Sequence, residues 1–215
     1  LIGYYFLVTR PPWNDVRVRL ALHLAIDRQE AVRSVEDGIG VVAGPMPPGA
    51  WALPQDEVSK LPGYRQPKDQ DRAEAKRLLA EAGYGDGLKF TLLYRAGRVY
   101  ESAAEFFKDQ VAKVGVEVSI RPMEYTVLYD LLYRRDFDAA EMKLAPTLLD
   151  PDDVLLQYYR SKAARNYGDF SDAEVDGLLE EQAKTMDQAK RKEIVLKVQR
   201  LIIDKLPCVQ MYWVN

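Results

Sequence analysis

Between residues 71 and 143 the spacing of apolar side chains switches repeatedly between a helical and a strand period, and that alternation leaves few folds open. Ala75, Leu78, Leu79 and Ala82 share one helical face, and Gly83 follows as a natural C-terminal stop. Asp71 and Glu74 are expected to open this helix as a capping-box-like pair. Leu88, Phe90, Leu92 and Tyr94 then alternate with Lys89 and Thr91 as a strand. A second helical stripe, Ala104, Phe107, Val111 and Val114, ends at Gly115, and Val116, Val118 and Ile120 alternate with Glu117 and Ser119. A helix near 124–134 leads to a strand from Phe137 to about Lys143. Strands joined through helices must cross over one another, so the pattern predicts an α/β fold: a mixed, mostly parallel sheet flanked by helices.

The flanks extend this plan. Tyr4 to Val8 has the composition of a strand. Residues 15–34 fit both periods; Asp15 as an N-cap after Pro11-Pro12, with Arg, Leu and Ala beyond it, favours a helix. Residues 36–69 carry a dense set of glycines and prolines and are expected to form a long loop with sparse regular structure. The last third is mostly helical. Ser171-Asp172-Ala173-Glu174 has the capping-box pattern, and a longer helix carries Ile194, Val195, Val198, Leu201 and Ile202. A strand from Cys208 to Trp213 closes the chain. The 215 residues are enough for one domain with a proper core. Because the chain opens directly on a strand, it is expected to be excised from a longer one.

Composition removes several function classes. The net charge of −3 is spread over both signs, whereas a nucleic-acid footprint needs a concentrated basic patch. No apolar run approaches the length of a membrane-spanning helix. Cys208 is the one cysteine and lies in an apolar run, so it is expected to act as a small buried hydrophobe. His23 is the one histidine, and its apolar helical neighbours suit a satisfied core residue better than a base or ligand. There is no metal-ligand spacing, phosphate loop or Gly-x-Ser-x-Gly elbow, and most carboxylates sit beside Lys or Arg on solvated faces. The expectation is a protein without catalysis, cofactor or metal. Thirteen tyrosines and three tryptophans suit a surface that binds a peptide- or sugar-like molecule.

Pro12-Trp13-Asn14-Asp15-Val16-Arg17-Val18-Arg19, then Ala25-Ile26-Asp27-Arg28, then the turn Gly44-Pro45-Met46-Pro47-Pro48-Gly49 occur in that order. They are followed by Ala75-Lys76-Arg77-Leu78-Leu79-Ala80-Glu81-Ala82-Gly83-Tyr84, Val114-Gly115-Val116-Glu117-Val118 and Asp150-Pro151. This ordered set resembles the family 5 extracellular solute-binding proteins, the peptide-binding components of ABC importers. The resemblance implies a periplasmic-binding-protein type II-like lobe over residues 1–215, the second of two lobes, with its termini close together. It implies a solute captured against a missing first lobe and delivered to a membrane permease. It also implies a periplasmic or extracellular location, with a lipoprotein anchor as one form. The rival reading is the ligand-sensing lobe of a transcriptional or signalling regulator.

The resemblance places the ligand-facing residues in two segments. One supplies Glu141, Lys143, Leu144, Ala145 and Thr147; the other runs from Tyr94 to Tyr100 and supplies Tyr94, Arg98 and Tyr100. Trp51 and Met46 are secondary candidates. Peptide-binding members carry an aspartate where this chain has Thr147, a tryptophan at Leu144 and a basic residue at Glu141. Threonine cannot offset an ammonium charge. Either Glu141 takes over that role, or the ligand is a sugar, a neutral compound or a modified peptide.

Overall fold

A computed structural model describes residues 1–214. Its frame is a five-stranded sheet of β1 (Ile2–Phe6), β2 (Leu88–Arg95), β3 (Val116–Met123), β4 (Ala139–Lys143) and β5 (Cys208–Tyr212), in the order β3-β2-β4-β1-β5. β2 pairs in parallel with both β3 and β4, while β1 runs antiparallel between β4 and β5. Four strands therefore share one direction. β1 is buried at every position, as a central strand covered on both faces must be. Ile2 lies opposite Tyr212, so the two ends of the described chain are neighbours in the sheet. β3 extends beyond the predicted strand to Met123 and includes Pro122, which an edge strand tolerates because one side of its ladder is unpaired.

The helices are α1 (Val16–Ala25), α2 (Arg28–Val35), α3 (Gln55–Val58), α4 (Asp69–Glu81), α5 (Arg98–Ala112) and α6 (Tyr125–Arg134). A π-helical turn, Asp152–Leu156, runs into α7 (Gln157–Tyr159), followed by α8 (Ala173–Lys184) and α9 (Gln188–Lys205). One face of the sheet packs Tyr4, Phe6, Leu92 and Val118 against residues of α1, α4 and α5, including Leu22, Leu79 and Phe107. The other packs Tyr5, Ala140, Met142 and Cys208 against Leu132, Leu179 and Val198 of α6, α8 and α9. Each fully buried large side chain contributes roughly 1.5–3 kcal/mol of transfer free energy, so the two cores together hold the layers in place.

Three helix starts differ from the sequence expectation. The segment 15–34 is two helices broken at Ile26-Asp27: Asp15 caps α1 by accepting from Arg17 N, and Asp27 caps α2 by accepting from Glu30 N at 2.9 Å. α4 starts at Asp69, so Asp71 falls inside its first turn and points inward with no exposure. There it accepts from Gly63 N at 3.0 Å, Arg65 Nε at 2.6 Å and Lys68 Nζ at 2.6 Å, while Glu74 pairs with Arg77 on the surface. At α8 the cap is Asp172 alone, which accepts from Glu174 N and Val175 N; Ser171 bonds Ser161 instead.

The Gly/Pro loop is pinned by a buried polar knot. The Arg28 guanidinium donates to the carbonyls of Gln210 (2.8 Å), His23 (3.1 Å) and Gly63, and stacks over Tyr64. His23 sits in the same knot, with Nδ1 2.9 Å from Arg28 and Nε2 3.1 Å from the Pro62 carbonyl. Burial and the Arg28 charge hold its pKa well below the usual range, so it stays neutral. Gly63 has φ +84°, and a Cβ there would lie 2.2 Å from the His23 ring, so the packing admits no side chain. Cys208 is buried, and burial raises its thiol to about 11.

Candidate functional site

α5 carries the chain from β2 to β3 on one face of the sheet, and α6 carries it from β3 to β4 on the other. The carboxyl ends of β2 and β4 therefore open between helices on opposite faces, which is where open α/β sheets offer a crevice. Arg95 ends β2 and Lys143 ends β4 at this edge, and α5 and α6 both begin beside it. A recess of about 180 Å³ lies here, lined by Arg95, Tyr100, Tyr125, Tyr129, Glu141 and Lys143, with Met142 and Ala145 at its wall. It adjoins a wider basin of about 540 Å³ that shares Tyr125, Tyr129, Met142, Lys143 and Ala145 with it and adds Tyr133, Tyr158, Tyr167 and Arg165.

The basin wall follows from helical spacing. Tyr125, Tyr129 and Tyr133 recur every four residues and so stack along one face of α6, with ring centroids 4.5 and 6.3 Å apart. Tyr167 meets Tyr133 at 5.6 Å and Tyr129 at 6.3 Å, both edge-on. Arg165 donates to the Tyr158 hydroxyl at 3.1 Å. Burial and the neighbouring Tyr125 push the Tyr129 phenol up to about 12, so it remains a neutral donor and acceptor. At the recess, Arg95 donates to the Tyr100 hydroxyl at 3.1 Å and lies 4.8 Å from the Tyr125 ring centre.

Glu141 is the outlier. It is 1% exposed, yet neither carboxylate oxygen has a hydrogen-bond partner among the described residues. Burial pushes its pKa well above the usual carboxylate range. A buried polar group of this kind costs free energy unless something satisfies it.

Of the residues expected to face a ligand, the structure gathers Glu141, Lys143, Ala145 and Tyr100 at the recess. Leu144 and Met46 are removed from the set. Leu144 is 2% exposed in the second core, where its N–H donates to the Leu1 carbonyl at 2.7 Å; Met46 is 1% exposed in that same core. Tyr94 is buried within the first core. Arg98 is exposed at the start of α5 and does not line the recess. Thr147 is exposed on the loop after β4, where its backbone N–H and that of Leu148 donate to Asp153 at 2.5 and 2.9 Å. Trp51 packs 5.1 Å from Arg191 over a different depression, beside Asp150 and Asp152. Sequence reasoning passed over Arg95 and the five basin tyrosines. The spacing of Tyr125, Tyr129 and Tyr133 was a readable signal, whereas Tyr158 and Tyr167 come from a distant segment with no periodic mark.

The chain is thus of the α/β class, a mixed sheet with a tyrosine-walled crevice at its strand ends. The model of the bacterial extracellular solute-binding proteins, family 5 Middle, matches residues 1–166, and the chain belongs to that family. It is 29% identical over 216 residues to a probable deoxycholate-binding periplasmic protein of Escherichia coli, covering 98% of this chain and 39% of that protein. It is 29% identical to the periplasmic oligopeptide-binding protein of Escherichia coli, covering 99% of this chain and 40% of the relative. The oligopeptide-binding protein of Bacillus subtilis, solved in complex with a nonapeptide, superposes with a TM-score of 0.82 at 27% identity, over 99% of this chain and 44% of that one. The fold is thus of the periplasmic-binding-protein type II-like kind, and the chain spans about two fifths of the length of the curated relatives it matches.

Proposed function

We propose that this chain is one lobe of the solute-capturing receptor of an ABC importer, closing on its solute with a second lobe and passing it to a membrane permease. The observation that carries the reading is the match along nearly all of this chain to only about two fifths of proteins named as periplasmic binding proteins. The crevice supports it: an aromatic concavity with convergent polar groups suits reversible capture, and a clamshell motion would seal it. The proposed site is Glu141, Lys143, Ala145 and Tyr100 with Arg95 and the basin tyrosines; Thr147 and Arg98 are proposed at its rim. On this reading the protein works outside the cytoplasm and breaks no bond. The relatives lend no support to a cytoplasmic regulator.

The test is a thermal-shift screen of the protein in its full natural length against di- to oligopeptides, deoxycholate and oligosaccharides. A ligand at a hundred times its Kd stabilises the folded state by about 2.7 kcal/mol, which is readily seen. A shift with one class is expected. A flat response to all of them would reject the reading for these solute classes.

A further inference from the structure

Resting on the receptor reading, we infer that Arg191 is a positioning residue for solute capture: from behind the crevice it holds the rim segment 144–149 in place through Asp150 and the π-helical turn. That segment follows β4 and carries Ala145, at the wall of the recess, and Thr147, proposed at its rim. It has no helix or strand of its own, and Thr147, Leu148 and Leu149 are exposed, so packing does not set its course. Side chains that bond to its backbone must set it instead.

The contacts form one continuous chain. Asp153 Oδ2 accepts from Thr147 N at 2.5 Å and from Leu148 N at 2.9 Å, so two successive rim amides hang on one carboxylate. Asp153 belongs to the π-helical turn Asp152–Leu156, a rare kind of turn that recurs at functional sites. Asp150 starts that turn: its Oδ1 accepts from Asp152 N at 2.9 Å and its carbonyl from Asp153 N at 3.1 Å. Arg191, in the first turn of α9, grips Asp150 with both ends of its fork, Nη2 to Oδ1 at 2.8 Å and Nη1 to Oδ2 at 3.1 Å. Its Nη2 also lies 3.3 Å from Asp152 Oδ1, and its Nε donates to Gln182 of α8 at 3.0 Å. The guanidinium sits 5.1 Å from the Trp51 ring centre, so the Gly/Pro loop backs it with an aromatic face.

A planar fork with several donors can hold Asp150, Asp152 and Gln182 in one geometry, whereas a lysine keeps the charge but presents a single nitrogen. Little of the global stability hangs on these pairs. The side chains of Asp150 and Asp152 are 40% and 45% exposed, and ion pairs at such exposure contribute little to folding. Their effect is local, on the course of the rim. Trp51 shares the role: neither it nor Arg191 lines the recess or the basin, and both act on the rim through Asp150.

Residue-resolved amide exchange and solute affinity, both on the full-length protein, test this in Arg191→Lys and Asp150→Asn, with Asp153→Ala as the fully released rim. Exchange at Thr147 and Leu148 should be slower in the wild type than in Asp153→Ala. Arg191→Lys and Asp150→Asn should each speed it about tenfold while the amides of β1 and β2 keep their protection. The two changes together should do no more than either alone, because they break the same link. The binding probes are tri-alanine, deoxycholate and cellobiose, one from each class of the solute screen. The probe or screened solute that binds the wild type should lose about three- to tenfold in affinity in Arg191→Lys, mainly through faster dissociation. Unchanged exchange at Thr147 and Leu148 overturns the inference, as does a rise spread evenly over β1 and β2, the mark of general destabilisation. So does faster exchange with unchanged affinity, which leaves the receptor reading intact. No binding by any probe or any member of the screen rejects the receptor reading and with it the role in capture.

Discussion

Glu141→Gln should stabilise the ligand-free protein, and by an amount that depends on pH. The folded carboxyl is buried without a partner among the described residues and holds its proton well above the usual range. In the unfolded chain the same group ionises near its ordinary value of about 4.3. Over the pH interval between the two values, the unfolded state binds fewer protons than the folded one, so stability falls as pH rises. The slope is about 1.4 kcal/mol per pH unit. Between pH 4.5 and 6.5 the wild type should therefore lose stability that a glutamine at this position does not lose, by up to that slope in each pH unit. Burying the amide has its own cost, but that cost is the same at both pH values and cancels in the comparison. All other titrating groups are common to the two proteins and cancel as well. For a domain of this size each pH unit at that full slope corresponds to about 3–6 °C in Tm. Chemical denaturation of both proteins at pH 4.5 and 6.5 measures it directly. A stability difference that is equal at the two pH values, or larger at pH 4.5, would refute the claim that Glu141 is buried uncharged. The expected result makes Glu141 a buried carboxyl kept at a cost to folding.

Two further outcomes separate the fold from the site. Asp71→Asn leaves Lys68, whose side chain is 2% exposed, without its counter-charge, which Arg65 shares; a loss of about 3–5 kcal/mol is expected in denaturant titration. The matched change Asp56→Asn, in an exposed pair with Lys60 at 3.6 Å, should leave the midpoint unmoved. Tyr125→Ala combined with Tyr133→Ala removes two half-exposed rings, so stability should shift by less than about 1 kcal/mol while affinity for any solute found in the screen falls about tenfold. Unchanged affinity in that double variant would place the binding surface elsewhere.

The elements were legible where one period dominated. Leu88 to Tyr94 and Ala104 to Val114 each carry a single unbroken stripe, and both became the elements their spacing predicts. The failures came where one residue type serves two purposes. An aspartate near a helix start reads as a cap, and Asp27 and Asp71 are told apart only by what surrounds them. Asp27 ends one helix and opens another, while Asp71 turns inward because Arg65 and Lys68, on the loop before it, need a shared counter-charge. Nothing local to either residue announces this.

The site shows the same division between what alternation reveals and what assembly alone can. Along a strand, neighbours face opposite ways, so a strand continued one residue past β4 would turn Leu144 to the sheet face opposite Glu141. That face is the one covered by α6, α8 and α9, and the structure buries Leu144 in its core. The emptiness around Glu141 is different in kind. It depends on Tyr4 of β1 bonding the Ala103 carbonyl, on Arg95 stacking outward on Tyr100 and Tyr125, and on no donor from α5 or α6 reaching back. A charged residue in the third place of a central strand is unusual enough in sequence to be singled out. That it is left unpaired among the described residues is a property of the packed layers, which no local sequence pattern records.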